Sequence, residues 1–527
     1  MKTAALSSLS APLQVPAFRR LWTANIVSNI GTLMQAVGAA WLMTGLTNST
    51  TLVGLVQTAS TLPVFLVGLL AGALADTMER KSLLFWSQLW MLAMAILLGV
   101  LTLMHLTTPW VLLGLTFALG LGSAISLPAW QATVQDIVPR EAIPAAISLN
   151  SISFNVARSV GPALGGVLVA ATGPATAFLV NATSFLAVLG AVATWKAAPR
   201  KMSRLAEDIP GAIRAGFRYL IHARRLQIPI VRASAFNLCA GAVWPLLPLF
   251  ARDVLHTTAT GYGLLLAAFG MGSVVSAIFM PRLRNMVALD RIVAAGAILC
   301  ALAFLGLSAV TNIAFACLML FFAGASWVGV LVNFNVAVQT AVPAWVRGRA
   351  LAFYLLAFQG VLALDGYLWG TLAGEIGISQ CFTVAAVGLV MGLGLIRFFP
   401  LSLNEDIDLR PSSPPDSHDS VAMEIDDGPV LVTVEYQIAP EDAEAFRAIM
   451  HQMREQRLRD GARRWRLYHD AQQPERYLEL FRLDSWGEHL RQRERVTVTD
   501  WEVNTQARAF HRGEGPPFVR HYLGVED

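Results

Sequence analysis

The chain has 527 residues, 55% of them hydrophobic and only 14% charged, and its mean hydropathy is +0.55. That much apolar surface cannot be hidden in an ordinary soluble core, so the composition requires lipid. A net charge of +4 is too small to argue for nucleic acid as a partner. Cys239, Cys300, Cys317 and Cys381 lie inside apolar runs with no paired spacing, which indicates neither a disulfide framework nor a metal site, and no cofactor is expected.

Twelve apolar segments reach the roughly 20 residues that a spanning helix needs. They fall at 19–45, 51–75, 83–105, 109–132, 144–171, 174–195, 230–251, 260–281, 288–309, 313–337, 349–374 and 377–399. Arg19 and Arg20 stand directly before the first segment with no short apolar stretch and cleavage site ahead of it, so that helix reads as a retained span. Basic residues crowd alternate loops: Arg80 and Lys81, Arg140, the run from Lys196 to Arg225, then Arg282, Arg284 and Arg291, and Arg347 and Arg349. The other loops carry almost none, Arg252 being the exception. This asymmetry places both termini in the cytoplasm of a multi-pass inner membrane protein.

Residues 1–195 and 230–400 thus read as two six-helix bundles joined by a cytoplasmic loop, 196–229. In that loop Ile213, Phe217, Leu220 and Ile221 share one helical face while Arg214, Arg218, Arg224 and Arg225 fall on others, the pattern of a helix lying along the inner leaflet. The stretch 401–429 is rich in Ser, Pro, Asp and Glu and reads as a flexible acidic linker. From 430 the pattern changes to an alternating strand, then a helix with Ala443, Phe446, Met450 and Met453 on one stripe. Strand-like runs follow near Trp465–His469 and Tyr477–Leu483, then helical sequence to about Phe510 and a last strand near Phe518. The order β-α-β-β-α-β predicts a ferredoxin-like soluble domain over 430–527.

The two bundles are copies. W-Q-A-T-V-Q-D-I-V-P-R, ending at Arg140, is echoed by F-N-V-A-V-Q-T-A-V-P-A, ending at Ala344; Gln135, Pro139 and Gly166 correspond to Gln339, Pro343 and Gly370 at one constant offset. A duplicated, all-α polytopic bundle is the architecture of a secondary transporter.

Three features bear on transport. The loop after span two reads G-A-L-A-D-T-M-E-R-K from Gly72. It resembles the loop motif of the major facilitator superfamily, G-x-L-x-D-x-x-G-R-K/R, with Gly72, Asp76, Arg80 and Lys81 matching and Glu79 replacing a glycine. A small residue at 72 would let two helices approach closely, and the resemblance implies that Asp76 latches one side shut against the N-terminus of span eleven. Next, Gly161, Pro162, Gly165 and Gly166 in span five resemble the G-P-x-x-G-G packing signature of exporters in that superfamily. Arg158 lies one turn before it, and a charge there is a functional candidate, with an interior ion pair or a snorkelling head group as the plainer readings. Finally, Asp365 is the acid placed deep within a span, in span eleven, where it could couple transport to protons or simply partner Arg158. No acid occurs in spans one or four, which leaves the coupling ion open.

By the same resemblance the cavity is lined by spans one, four, seven and ten. These offer Asn25, Asn29, Gln35 and Trp41; Trp130 and Gln131; Asn237 and Trp244; and Trp327, Asn333 and Asn335. Aromatic walls with amides and few charges suit a sizeable amphipathic organic molecule, although each amide serves equally as an interhelical hydrogen-bond donor.

More narrowly, F-R-R-L-W-T-A-N before span one, V-P-R-E before span five and N-x-x-R-x-x-G-P-x-x-G-G resemble the enterobactin-exporter-like branch, the transmembrane secretion effectors, over about 1–400. The resemblance implies proton-linked export of siderophores or similar compounds. The soluble domain resembles the small α+β barrels of the antibiotic-biosynthesis monooxygenase type, which would pair two copies through their sheets. His451, His469, His489, His511 and His521 are scattered without metal spacing, so no catalysis is expected there. The competing expectation is a membrane-anchored sensory or binding protein acting through that domain. No G-x-x-x-x-G-K-[ST] occurs, which disfavours a nucleotide-driven pump.

Overall fold

The computed structural model describes residues 10–195, 209–401, 408–412 and 427–525. Among them are twelve helices long and apolar enough to cross a membrane: Pro16–Leu46, Thr50–Gly72, Arg80–Leu103, Pro109–Val134, Arg140–Thr172, Pro174–Thr194, Arg224–Val254, Ala259–Arg284, Leu289–Ala309, Ile313–Thr340, Arg347–Ile376 and Ile378–Phe398. They are numbered below as spans one to twelve. Their order is that expected from hydropathy, and most run a few residues longer at one or both ends.

Span seven departs from expectation. Instead of one continuous helix it runs from Arg224 to Ala240, breaks at Gly241, resumes over Val243–Leu249 and ends in a wider turn, Phe250–Val254. The cause is visible in the sequence, because Pro245 and Pro248 lack the N–H groups that would bond back to residues 241 and 244. Gly241 O is bonded instead by the Trp244 N–H, at 3.0 Å.

The chain divides into two compact units. The first comprises Met1–Ser203, Val231–Phe334 and Tyr354–Pro400. Here span one packs on spans five and six, span two on span four, and span three on spans four and six. The two halves meet where side chains are missing. A Cβ on Gly166 in span five would stand 2.8 Å from Gly263 Cα in span eight, and a Cβ on Gly370 in span eleven would stand 3.3 Å from Gly54 Cα in span two. The repeat-related glycines 166 and 370 therefore each face a glycine of the opposite half. Both contacts lie toward the same end of the bundle, near the end of spans five and eleven and the start of spans two and eight. Arg252, the basic residue out of place in the loop pattern, acts at this end too: its guanidinium donates to Thr44 O and, at 3.3 Å, to Thr47 O, capping span one from the other half.

Backbone-close packing of this kind leaves no room for a side chain. Gly263→Val is expected to wedge the halves apart at a cost of about 2 kcal/mol. The check is labelling of a cysteine placed at Gln57 on the cavity wall by an impermeant thiol reagent added to the side of loop 47–49; unchanged reactivity would count against the closed contact.

The second unit comprises Arg204–Ile230, Asn335–Phe353 and Leu401–Asp527. Its sheet has the order β2-β3-β1-β4, from strands β1 (Val430–Gln437), β2 (Arg464–His469), β3 (Arg476–Leu483) and β4 (Phe518–Leu523), all neighbours antiparallel. One face is covered by the helix Ala443–Asp460, whose Phe446, Met450 and Met453 are buried as their stripe predicts, together with Trp486–Glu494 and Val498–Ala509. The expected single second helix is thus split by Arg495–Thr497, where Thr497 caps the next segment through a reciprocal bond with Asp500.

The inter-bundle helix Ile209–His222 packs against Ala443–Asp460 within this unit. Phe217 and Ile221 of its expected apolar face are exposed, and the side chain of Ile213 lies outside the described residues. Arg218, placed on a polar face, is instead drawn into an ion pair with Glu488 at 2.7 Å. Glu488 also pairs with Arg495 at 2.8 Å and Arg491 at 2.9 Å, and the nearly buried Arg495 guanidinium lies 4.5 Å from the Trp345 ring, against which Tyr219 sets its edge. Burial opposes charge on Glu488, but Arg495, Arg491 and Arg218 outweigh it and hold the carboxyl below the ordinary carboxylate range. The stabilisation is therefore present at neutral pH and lost as pH falls through that range. Glu488→Gln removes the carboxylate charge opposite buried Arg495, which keeps its bond to Asp460 O, and should cost about 3 kcal/mol; hydrogen exchange in 443–460 should accelerate about a hundredfold, and unaltered protection would refute the hub.

Candidate functional site

A cavity of about 270 Å³ opens between the two halves of the membrane unit, walled by residues of spans one, two, four, five, seven and eight. Spans one, four and seven were expected there; spans two, five and eight were not, and span ten contributes from behind through Trp327. On the first half the wall includes Gln35, Gln57, Thr116 and Ser123. On the second it is aromatic, with Trp244, Tyr262 and Phe269.

Arg158 enters from span five. Its guanidinium carbon lies 5.5 Å from the centroid of Trp327, 5.6 Å from Trp244 and 5.7 Å from Phe269, three rings that also pack on one another. A planar cation over ring faces is held by their quadrupoles, a contribution that grows once water is excluded. The local backbone explains the placement: Pro162 has no N–H for Arg158 O, and Gly270 of span eight fits against that carbonyl so closely that a Cβ would come within 2.8 Å. No acid pairs with Arg158 among the described residues, so neither the ion-pair reading nor a partnership with Asp365 holds in this state. The indole N–H groups of Trp244 and Trp327 are buried and make no hydrogen bond among the described residues. One unpaired cation and two unspent donors converge on one region of wall.

Asp365 occupies a different place. It is fully buried, and neither carboxylate oxygen has a hydrogen-bond partner among the described residues. Its Oδ2 lies in the space a Cβ on Gly241 would take, at the break in span seven. Trp369, one turn along, spends its N–H on Leu238 O at 2.9 Å, in the same broken stretch. Asn237, also buried, donates weakly to Phe358 O at 3.4 Å and leaves its Oδ1 unpaired.

The other expected ligands separate into two groups. Gln35 lines the cavity but accepts from Asn181 at 2.6 Å, and Trp41 stacks on Tyr262 at 6.0 Å. Asn25 and Asn29 are half-buried off the wall, Trp130 packs in the apolar cores around spans one and four, and Gln131 is exposed. Asn333 is a structural amide, donating to Gly329 O at 2.7 Å and to the Met280 sulfur at 3.0 Å, and Asn335 accepts from Gln339 at 2.6 Å. Gly161 and Gly165 pack on Leu33 and Met34 of span one, so the span-five glycines serve two interfaces, with Gly166 alone facing the other half. Sequence reasoning missed Tyr262, Phe269 and the glycine partners in span eight; the run G-Y-G-L-L-L-A-A-F-G-M-G carried that signal.

The loop motif needs correction. A Cβ on Gly72 would meet nothing within 4 Å, so this glycine provides no close approach in this state. Arg80 donates to Ala132 O at 3.0 Å and pairs with Asp136, while Lys81 donates to Ala193 O at 3.3 Å, all within the first half. The Asp76 side chain lies outside the described residues. The glycine–glycine contacts between the halves, Gly166 with Gly263 and Gly54 with Gly370, sit at the opposite end of the bundle from this loop.

The sequence profile of transmembrane secretion effectors matches residues 7–527, covering the soluble domain as well as the spans. The chain belongs to this family of major facilitator transporters. It is 28% identical over 362 residues to the uncharacterized MFS-type transporter YfiS of Bacillus subtilis strain 168, covering 65% of this chain and 83% of that protein. Against the staphyloferrin A transporter of Staphylococcus aureus it is 23% identical, covering 68% and 90%, and against the enterobactin exporter EntS of Citrobacter koseri 26% identical, covering 74% and 92%. A bacterial homologue of the lysosomal transporter Spinster, solved in an inward-facing and occupied conformation, superposes with a TM-score of 0.60 at 15% identity over 76% of this chain and 99% of that one. That likeness supports the fold. The soluble domain is shown as a small four-stranded sheet with helices on one face; no comparison assigns it to the monooxygenase-like barrels.

Proposed function

We propose that the chain exports an anionic, amphipathic siderophore-like compound across the inner membrane by alternating access, driven by protons. The observation that carries this reading is Arg158, a half-buried cation caged by Trp244, Phe269 and Trp327 without a carboxylate among the described residues, beside two indole N–H groups without acceptors. A ligand bearing an acidic group and an aromatic or apolar body satisfies all of these at once. At about 270 Å³ the cavity takes one aromatic-acid moiety, and a larger compound is admitted as the halves part. Enterobactin and staphyloferrin A, named for relatives of this chain, are the first substrates to try.

With both termini cytoplasmic, as the basic loops argue, the glycine contacts and the Arg252 bridge lie on the outer side and the Arg80 loop on the inner side. Asp365 is the coupling group: sealed beside the break in span seven, a carboxyl without donors sheds its charge by taking a proton and regains it when rocking admits water. The sign follows. Inside-out vesicles acidified within should accumulate substrate, and accumulation of neither compound under any imposed gradient would overturn the exporter reading. Deleting 429–527 separates the remaining alternative, a sensor anchored in the membrane, since efflux that survives deletion leaves transport to the bundles.

A further inference from the structure

The sheet of the second unit has one face covered by helices and one that no described element of that unit covers. Burial alternates along β1 and β3, so the strand registers place the outward residues in rows. The first row across β2-β3-β1-β4 is Arg464, Arg482, Leu431 and Tyr522, and the second is Arg466, Leu480, Thr433 and Arg520. In the third stand Tyr468, Leu478, Glu435 and Phe518. Like charges directly opposite on neighbouring strands are destabilising, yet Arg464 and Arg482 are such a pair and Arg466 stands in the next row. Among the described residues none of these three is in an ion pair. The acid on this face, Glu435, is already taken by Arg476 at 2.7 Å. Between the arginines lies an apolar floor of Leu431 and Leu480, and Tyr468 is exposed at the rim. A concavity of about 550 Å³ is lined by Arg464, Arg466, Tyr468, Leu480, Leu431 and Arg482.

We propose that this sheet face is a binding site for a soluble polyanionic small molecule with an apolar or aromatic body, distinct from the transport cavity. The arginines present planar donor forks that match carboxylates in pairs, and a bridging anion converts the Arg464–Arg482 repulsion into a shared attraction. The floor supplies apolar area for the body of the ligand, and the volume is that of a small-molecule site. A second copy of the chain fits less well, because a twofold face-to-face pairing sets arginines against arginines with no free acid to oppose them. The site is independent of the export reading, since its binding is measured without transport.

The test is calorimetry on the full chain in neutral-lipid nanodiscs, with benzene-1,3,5-tricarboxylate as probe and the uncharged tricarboxamide as control. Saturable one-to-one binding of the tricarboxylate alone is expected, weakening with salt, and about tenfold weaker in Arg482→Gln and in Arg464→Gln. Both variants should keep or raise the thermal midpoint without ligand, because each relieves a like-charge pair, and both should lose the midpoint increase that the probe gives the wild type. The proposal is overturned by equal affinity in wild type and variants, by binding of inorganic sulfate as tight as that of the probe, by attraction only to nanodiscs containing phosphatidylglycerol, or by ready disulfide cross-linking of Leu431→Cys copies that would mark the face as a dimer seam.

Discussion

Arg158→Gln is expected to weaken binding of the acidic substrate by one to two orders of magnitude, while Arg158→Lys restores part of it. The substitution removes a charged donor from a wall that holds no other cation among the described residues, and a hydrogen bond to a charged group in such surroundings is worth about 2 kcal/mol. Lysine keeps the charge but not the planar contact with Trp244 and Trp327, so its recovery should be incomplete. Quenching of intrinsic tryptophan fluorescence reads the same event, because two of the three caging rings are indoles. Were Arg158 only packing, its loss would lower stability by a fraction of that energy and leave substrate affinity intact. A variant that unfolds less readily than wild type yet no longer binds fits the ligand role alone; preserved affinity ends it.

How much of this was legible beforehand depends on the range of the interaction. Spans are written in local hydropathy, so their order could be read directly, and the repeat made Gly166 and Gly370 equivalent before their partners were known. The β-α-β-β-α-β order of 430–527 was likewise carried by alternation and a helical stripe. Arg158 could be flagged as a costly charge, but its cage draws on Trp244, Phe269 and Trp327, from three different spans of the other half, and no pattern within span five points at them. Arg252 was an exception to the charge rule whose reason is tertiary: it caps carbonyls of span one. The loop motif misled at Gly72 because a motif names residue types and not the state in which they touch. Pro245 and Pro248 were in plain view, and hydropathy averaged over them.

Asp365→Asn is expected to abolish gradient-driven accumulation while sparing both protein level and exchange of substrate across a membrane without a pH gradient. The two side chains are isosteric, and the native one occupies a dry site with no donor to its oxygens, so a neutral amide should fold as well or better. What the amide cannot do is change charge. A transporter whose cycle requires that change should then run only as an exchanger, with net accumulation in acid-loaded inside-out vesicles falling to the level seen without a gradient. The position of Asp365 sharpens the expectation: it faces Gly241, where span seven has no regular helix to carry the backbone, and a broken helix is a natural place for two halves to part and admit water. Gly241→Ala, which crowds Oδ2, should impair the same step through position instead of charge. If Asp365→Asn still concentrates substrate in step with the imposed gradient, the proton is carried elsewhere; if it loses substrate binding along with coupling, Asp365 belongs to the ligand site and not to the proton's path.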